Sequence, residues 1–377
     1  MEIAAAIIFN IILKRSAMNR DEACWNDWTW QLRHAIRSVL RLQEAISLTD
    51  LEAEGLRALS IKKGLPLQIT PHFLSLMDLK NPQDPLRLQV IPRIEEFESS
   101  EIERRDPLGE EDHEVVPHLV HRYPDRVLLL ATDRCAAYCR FCTRKRWVGQ
   151  GPTPKIEHLK KALAYIRARP EIKEVIISGG DPLLLNDDRL DALLSDIRAI
   201  PSIEIIRFDT RILTFAPMRI TDALLAVLKR HQPVYIIAHF NHPQELNEAT
   251  ETAIAKLVDN GVMVLNQSVL LKNINDNAAT LAQLFRRLTY LRARPYYLHQ
   301  CDIAFGTKMF RVPLDKSLAI MKELRGHISG LNIPHFVIDI PGGFGKVSLV
   351  PESIVSRNEN TISLRGFDGE VAEYPLD

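Results

Sequence analysis

Cysteine is scarce, an excess charge of either sign is missing, and no apolar run is long enough to span a bilayer. The 377 residues contain five cysteines, three of them within eight positions and two, Cys24 and Cys301, isolated. An odd, low count excludes a disulfide framework and predicts a reducing compartment, the cytoplasm. Forty-eight basic side chains balance forty-eight acidic ones, so no global field favours nucleic acid or an anionic membrane, and neither is an expected partner. The opening apolar run, Met1 to Leu13, is too short to cross a bilayer. Its basic pair, Lys14 and Arg15, follows the run rather than preceding it, which makes a poor signal peptide. Met18 before polar Asn19-Arg20-Asp21-Glu22 reads as a more natural start, so residues 1–17 are expected to be a disordered upstream extension.

What is present is an ordinary hydrophobic fraction, 46%, enough to bury a sizeable core. Residues 18–120 read mainly as helical, with three-and-four spacing in Trp28-Gln31-Leu32-Ala35-Ile36-Val39-Leu40. After Pro124 short β-branched runs alternate with amphipathic stretches. Strands are predicted near 126–132, 174–178, 203–209, 234–240, 262–269, 296–301 and 335–340. Helices are predicted at about 155–168, 187–199, 220–230, 244–260, 277–293 and 315–328. Runs that are apolar throughout and separated by helices predict an α/β fold whose parallel sheet is buried on both faces. Six or more such units suggest a partial (β/α) barrel over 121–346, followed by a C-terminal segment, 347–377. Unusual residues gather at the strand ends, where barrels carry their chemistry: the cysteine loop, Gly179-Gly180-Asp181, His239-Phe240-Asn241-His242, Asn266-Gln267 and Cys301-Asp302.

Cys135, Cys139 and Cys142 stand at x3/x2 spacing. Three thiolates hold three corners of an iron-sulfur cube and leave the fourth iron open, whereas a structural zinc site wants four protein ligands. A zinc knuckle completed by a distant histidine, with Arg144, Lys145 and Arg146 on nucleic acid, is the competing reading. No second cysteine pair follows, however, and His158 lies beyond finger spacing. With Phe141 before the last cysteine, the segment resembles the radical S-adenosylmethionine (SAM) signature, whose open iron chelates SAM. Ser178-Gly179-Gly180-Asp181 lets backbone approach a ligand and present N–H groups. Alone it is weak, because any βα turn holds Gly-Gly and Asp181 could cap the next helix. Beside the cysteine loop it resembles the motif that grips the methionine amino group of SAM. Pro341-Gly342-Gly343-Phe344-Gly345-Lys346 presents a lysine on a glycine loop, suited to an imine with pyridoxal phosphate (PLP). A flexible or phosphate-binding loop is the plainer alternative, but Val347 after Lys346 departs from a nucleotide P-loop.

Several motifs in order resemble the lysine 2,3-aminomutase family from about Trp28 to the C terminus: HRYPDR (121–126), CAAYCRFCTRKR (135–146), SGGDPL (178–183), HFNHP (239–243), NQSVLL (266–271), PYY (295–297), CD (301–302), RGHISG (325–330) and VIDIPGGFGK (337–346). The resemblance implies a partial barrel of the radical SAM type with an N-terminal helical extension. It also implies a 4Fe-4S cluster, SAM and PLP, an isomerase moving an amino group from carbon 2 to carbon 3, and an external one-electron reductant of flavodoxin or ferredoxin type. Carried over by motif, Cys135, Cys139 and Cys142 bind the cluster and Lys346 holds PLP. Arg122, Tyr123 and Arg126 lie near its phosphate, and Arg144 clamps the substrate carboxylate. Phe141, Ser178, Gly179, Gly180, Asp181, His239, Asn241 and Gln267 line the SAM side. Asp302 and Asp339 meet the distal ammonium of the substrate, which favours lysine over glutamate and leaves arginine and ornithine as competitors. The zinc-linking cysteines of the long clostridial enzymes are missing here, with Asn277 where one would stand; a dimer rather than a zinc-tied tetramer is the expectation. The resemblance is compatible both with metabolic lysine enzymes and with the branch making β-lysine for elongation factor P.

Overall fold

A ten-stranded sheet organises the computed structural model, which describes residues 23–376 apart from 63, 99, 351 and 352; the predicted upstream extension lies outside the described residues. The strands are β1 (Glu114–Val116), β2 (Leu119–Tyr123), β3 (Arg126–Thr132), β4 (Glu174–Gly179), β5 (Ile205–Thr210), β6 (Val234–His239), β7 (Met263–Leu270), β8 (Ala293–Gln300), β9 (His335–Ile340) and β10 (Gly345–Ser348). They follow one another in chain order, parallel from β3 to β9 and antiparallel at both ends. Among the described residues β1 and β10 do not pair, so the barrel is open. Helices Ile156–Arg167, Asp187–Arg198, Asp222–Arg230, Glu248–Asp259, Ala278–Tyr290 and Leu314–Leu324 make the crossovers. Side-chain caps start several of them, Asn277 included: its Oδ1 accepts the Thr280 N–H at 2.8 Å.

The strands alternate instead of being apolar throughout. Val175, Ile206, Ile236 and Val264 are fully buried, in one apolar core with Leu194, Leu228 and Phe285 of the helices. The opposite face carries Arg207, Asp209, His239, Gln267, His299 and Asp339, several of them partly accessible. A polar inner face is what a barrel needs when its lumen is a site and not a packed core.

The N-terminal region departs further from its reading. The single periodic run over Trp28–Leu40 is broken: helices Trp28–Arg33 and Val39–Ala45 are separated where Ile36 pairs with Ile69 by two backbone hydrogen bonds. Ser38 then caps the second helix. The helical reading to residue 120 also fails at Glu114–Tyr123, which forms the β1–β2 hairpin and extends the sheet. Apolar periodicity reports burial, and backbone pairing overrode it.

One buried ion pair fixes this region. Arg87 donates to both oxygens of Glu52 at 2.7 and 2.6 Å, with Arg87 1% and Glu52 2% exposed. Arg87→Met strands a buried carboxylate and is expected to destabilise the fold by about 3–5 kcal/mol in urea unfolding. A loss below about 1 kcal/mol would show that Glu52 finds water. Three strands, Ile354–Arg357, Thr361–Arg365 and Val371–Pro375, form a separate small sheet near the C terminus. Among the described residues no helix is long and apolar enough to cross a membrane.

Candidate active site

The cysteine loop leaves the carboxyl end of β3 and is gripped from the N-terminal region. Gln68 Nε2 donates to the carbonyls of Cys135 (2.7 Å) and Ala136 (2.9 Å), and the Arg140 N–H donates to Gln89 O at 2.8 Å. Arg140, 1% exposed, is tied to Glu96 at 2.6 and 2.8 Å. Phe141 is buried against Phe310 and the His239 ring. Burial, followed by the charges of Asp181 and the other two cysteines, pushes Cys135 well above the ordinary thiol range. Burial and Cys139 push Cys142 up to about 11. Cys135 and Cys142 so placed ionise together only when a multivalent cation compensates them, which suits a metal cluster. Among the described residues no three His, Cys, Asp or Glu side chains converge tightly enough for a single ion.

Two residues expected to touch SAM have other occupations. The Asp181 carboxylate, 3% exposed, accepts from Leu183 N (3.1 Å), Thr210 Oγ1 (2.7 Å) and Arg211 N (2.9 Å), so it caps and braces instead of facing a ligand. The N–H groups of Gly180 and Asp181 donate to the carbonyls of Thr132 and Arg134 and are not presented to an anion. The glycines are needed for that approach: a Cβ on Gly179 or Gly180 would stand 2.4 Å from Thr132 O or 2.2 Å from Arg134 O. Asn241 is fully buried. Its Oδ1 accepts from Val269 N (2.9 Å) and its Nδ2 donates to Gln89 (3.0 Å), which makes it a brace behind the wall. His239, at the end of β6, is in register with Gln267 within β7, which runs three residues further than a strand end at Asn266-Gln267 would allow, and both face the lumen. Burial, helped by Arg211 and His299, holds His239 neutral.

Arg144 lies between the two halves of the site. Its Nε and Nη2 engage Glu110 at 2.9 and 2.8 Å, and its Nη1 donates to Ser178 Oγ at 3.3 Å. Glu110 also takes Arg146 at 3.0 Å; burial raises its carboxyl, but the two guanidinium groups outweigh burial and hold it low.

The second half forms where β9 meets β10. Lys346 opposes Asp339 in register, and its Nζ is 3.2 Å from that carboxylate. Asp339 also faces Arg122 at 3.5 Å and His299 Nδ1 at 3.6 Å. Burial alone would raise its carboxyl, yet His299 and Lys346 pull it down to about 2. Tyr123 Oη accepts the Lys346 N–H at 3.0 Å, and the Arg126 guanidinium sits 3.8 Å over the Tyr123 ring. The glycine loop ahead of Lys346 turns through left-handed backbone, with Gly343 at φ +84° packed on His113. Burial and the charge of Asp339 push Asp302 up to about 7.

The fold thus gathers Arg122, Tyr123, Arg126, Asp339 and Lys346 in one cluster and the three cysteines, Phe141, His239 and Ser178 in another. Sequence reading missed Arg211, Gln89, Glu245, Glu110 and His299. Arg211 directly follows β5, so the strand-end rule reaches it; nothing in the sequence marks Gln89 or Glu110. A cationic and aromatic surround for a phosphate, with a lysine amine beside it, fits PLP by its donor chemistry.

The description "Radical SAM superfamily" belongs to a family model matching residues 129–285, and "Lysine-2,3-aminomutase" to one matching 321–376. The chain is 46% identical over 355 residues to L-lysine 2,3-aminomutase of Bacillus subtilis (strain 168), covering 94% of this chain and 75% of that protein. It is 43% identical to the L-lysine 2,3-aminomutase of Clostridium subterminale (94% and 85% covered). It is 38% identical to glutamate 2,3-aminomutase of Clostridioides difficile strain 630 (94% and 84% covered). With its three-thiol loop at one strand end and its lysine-carboxylate pair at another, the chain belongs to the lysine 2,3-aminomutase family of radical SAM enzymes.

Proposed function

We infer that the protein is an isomerase interconverting L-α-lysine and β-lysine. The observation that carries the substrate is the acidic pair Asp302 and Asp339 beside Lys346. A glutamate side chain would meet two carboxylates there, whereas a distal ammonium relieves their repulsion.

The cysteines at 135, 139 and 142 would hold the 4Fe-4S cluster, with Phe141, Ser178, His239 and Gln267 lining the SAM side. Arg122, Tyr123 and Arg126 would receive the PLP phosphate, and Lys346 would bind the cofactor. When bound, the cluster and SAM supply a carbon-centred radical from one external electron, and PLP lowers the barrier to amino migration. The chain's own part is placement. Arg144, steadied by Glu110 and Ser178, is positioned to take the substrate carboxylate, which fixes the reacting carbon near the radical source. Asp302 and Asp339 take the far end, so a substrate of lysine length is held at both ends. The electron donor is a small flavodoxin- or ferredoxin-type protein.

Anaerobically reconstituted enzyme, reduced and supplied with SAM and PLP, is expected to convert lysine to its β-isomer and to leave glutamate unchanged. Arginine and ornithine belong in the same assay, because a distal cation suits the acidic pair in each; faster turnover of either would reassign the substrate. The reading also predicts a pH effect. Asp302 titrates near 7, and its protonated form cannot pair with an ammonium. Lysine KM should therefore rise as pH falls below about 7, and Asp302→Asn should flatten that dependence. A KM independent of pH between about 6 and 8 would remove Asp302 from the substrate contact.

A further inference from the structure

Arg211 follows β5 directly and is almost fully buried, 6% exposed. Its Nη1 donates to Cys139 Sγ at 2.8 Å. The rest of the guanidinium is fixed by acceptors from three other segments: Gln89 Oε1 (2.5 Å), Glu245 Oε1 (3.2 Å) and the His239 carbonyl (3.3 Å). Phe141 and Phe215 flank it, 5.3 and 4.7 Å from its central carbon. Gln89 in turn bonds Glu245 at 2.9 Å and Asn241 at 3.0 Å, so the arginine is held in one pose. Its charge is permanent.

We propose that Arg211 sets the reduction potential of the cluster by a charge-assisted hydrogen bond to the Cys139 sulfur. This rests on the reading of Cys135, Cys139 and Cys142 as cluster ligands. One-electron reduction adds a negative charge to a group already made anionic by its thiolates, and the electron comes from the one-electron reductant. A buried cation bonded to a ligand sulfur stabilises the reduced state more than the oxidised one, which raises the potential. No proton moves, because the guanidinium keeps its own. Glu245, among the described residues the carboxylate bonded to the Arg211 guanidinium, partly offsets its charge, while the neutral Gln89 steadies it without doing so. Arg211 is therefore a positioning and tuning residue acting through Cys139, and the N-terminal region takes part through Gln89.

The test uses the full-length protein reconstituted with iron and sulfide, without SAM. Iron content and the iron-sulfur absorbance are read first, then the reduced-cluster EPR signal against solution potential. Arg211→Gln is expected to load its cluster and to lower the one-electron reduction constant tenfold or more, which corresponds to about 59 mV. Arg211→Lys, which keeps the charge but not the anchored fork, is expected to shift the potential in the same direction by less. A loaded Arg211→Gln protein with the wild-type potential overturns the proposal. Should Arg211→Gln not load, a potential at or above wild type in Arg211→Lys overturns it equally. Wild-type protein that takes up no cluster would instead sink the functional reading above.

Discussion

Lys346→Ala is expected to abolish turnover, by at least about a thousandfold, the scale on which removal of a covalent catalytic group acts. The visible absorbance of protein-held PLP should disappear with it. The expectation rests on placement. The amine projects from β10 beside Asp339, 3.2 Å away, while Tyr123 holds the same residue's backbone N–H. That pairing keeps the nitrogen at the mouth of the cationic Arg122–Tyr123–Arg126 group. Lys346→Arg is the informative control, because it preserves a cation next to Asp339 and still cannot form the imine. Normal activity in either variant would refute the assignment of Lys346.

Asp339→Lys is expected to reduce kcat/KM for lysine about a thousandfold. Loss of the attraction at about 4 Å is by itself worth about 4 kcal/mol at an effective dielectric of about 20, before any repulsion is counted, and each 1.36 kcal/mol is about a decade in rate. The carboxylate has two duties in this site, since it faces Lys346 and His299 as well as the expected substrate position. Kinetics separate them. Loss of the substrate contact raises KM, whereas loss of the Lys346 partner lowers kcat and perturbs the PLP band. Acceptance of an acidic amino acid by the variant would support the charge argument. Unchanged lysine kinetics would take Asp339 out of the pocket.

The barrel was legible because its strands are short, β-branched and separated by amphipathic helices, so local composition and burial agree. The predicted strand at 126–132 has the observed bounds, and those at 203–209 and 262–269 are displaced by one or two residues. The inner face was misread as apolar because hydropathy averages over a strand. Arg207 sits between Ile206 and Phe208, and Asp209 and His299 follow Phe208 and Leu298, apolar neighbours that point the other way. The N-terminal region was misread because Ile36 is apolar for a bridge to Ile69 and not for a helix face. Asp181 illustrates the limit for the site: its motif position suggested a ligand contact, but Leu183 of its own turn and Thr210 and Arg211 at the end of β5 donate to the carboxylate.

By itself the sequence determined the chemistry available: three thiols at x3/x2 spacing, a lysine on a glycine loop, and acidic residues at two strand ends. These depend on local spacing and on the period of strands and helices, which a linear chain records. Only the tertiary structure decided which groups meet. Arg211 reaches Cys139 across 72 positions, Arg144 reaches Glu110 across 34, and Arg122 reaches Asp339 across 217. Such contacts arise from the closure of parallel strands into a curved sheet, where crossover geometry and not sequence distance sets the neighbours. Long-range electrostatic partners leave no local period in the chain, so their roles emerge only once the barrel is built.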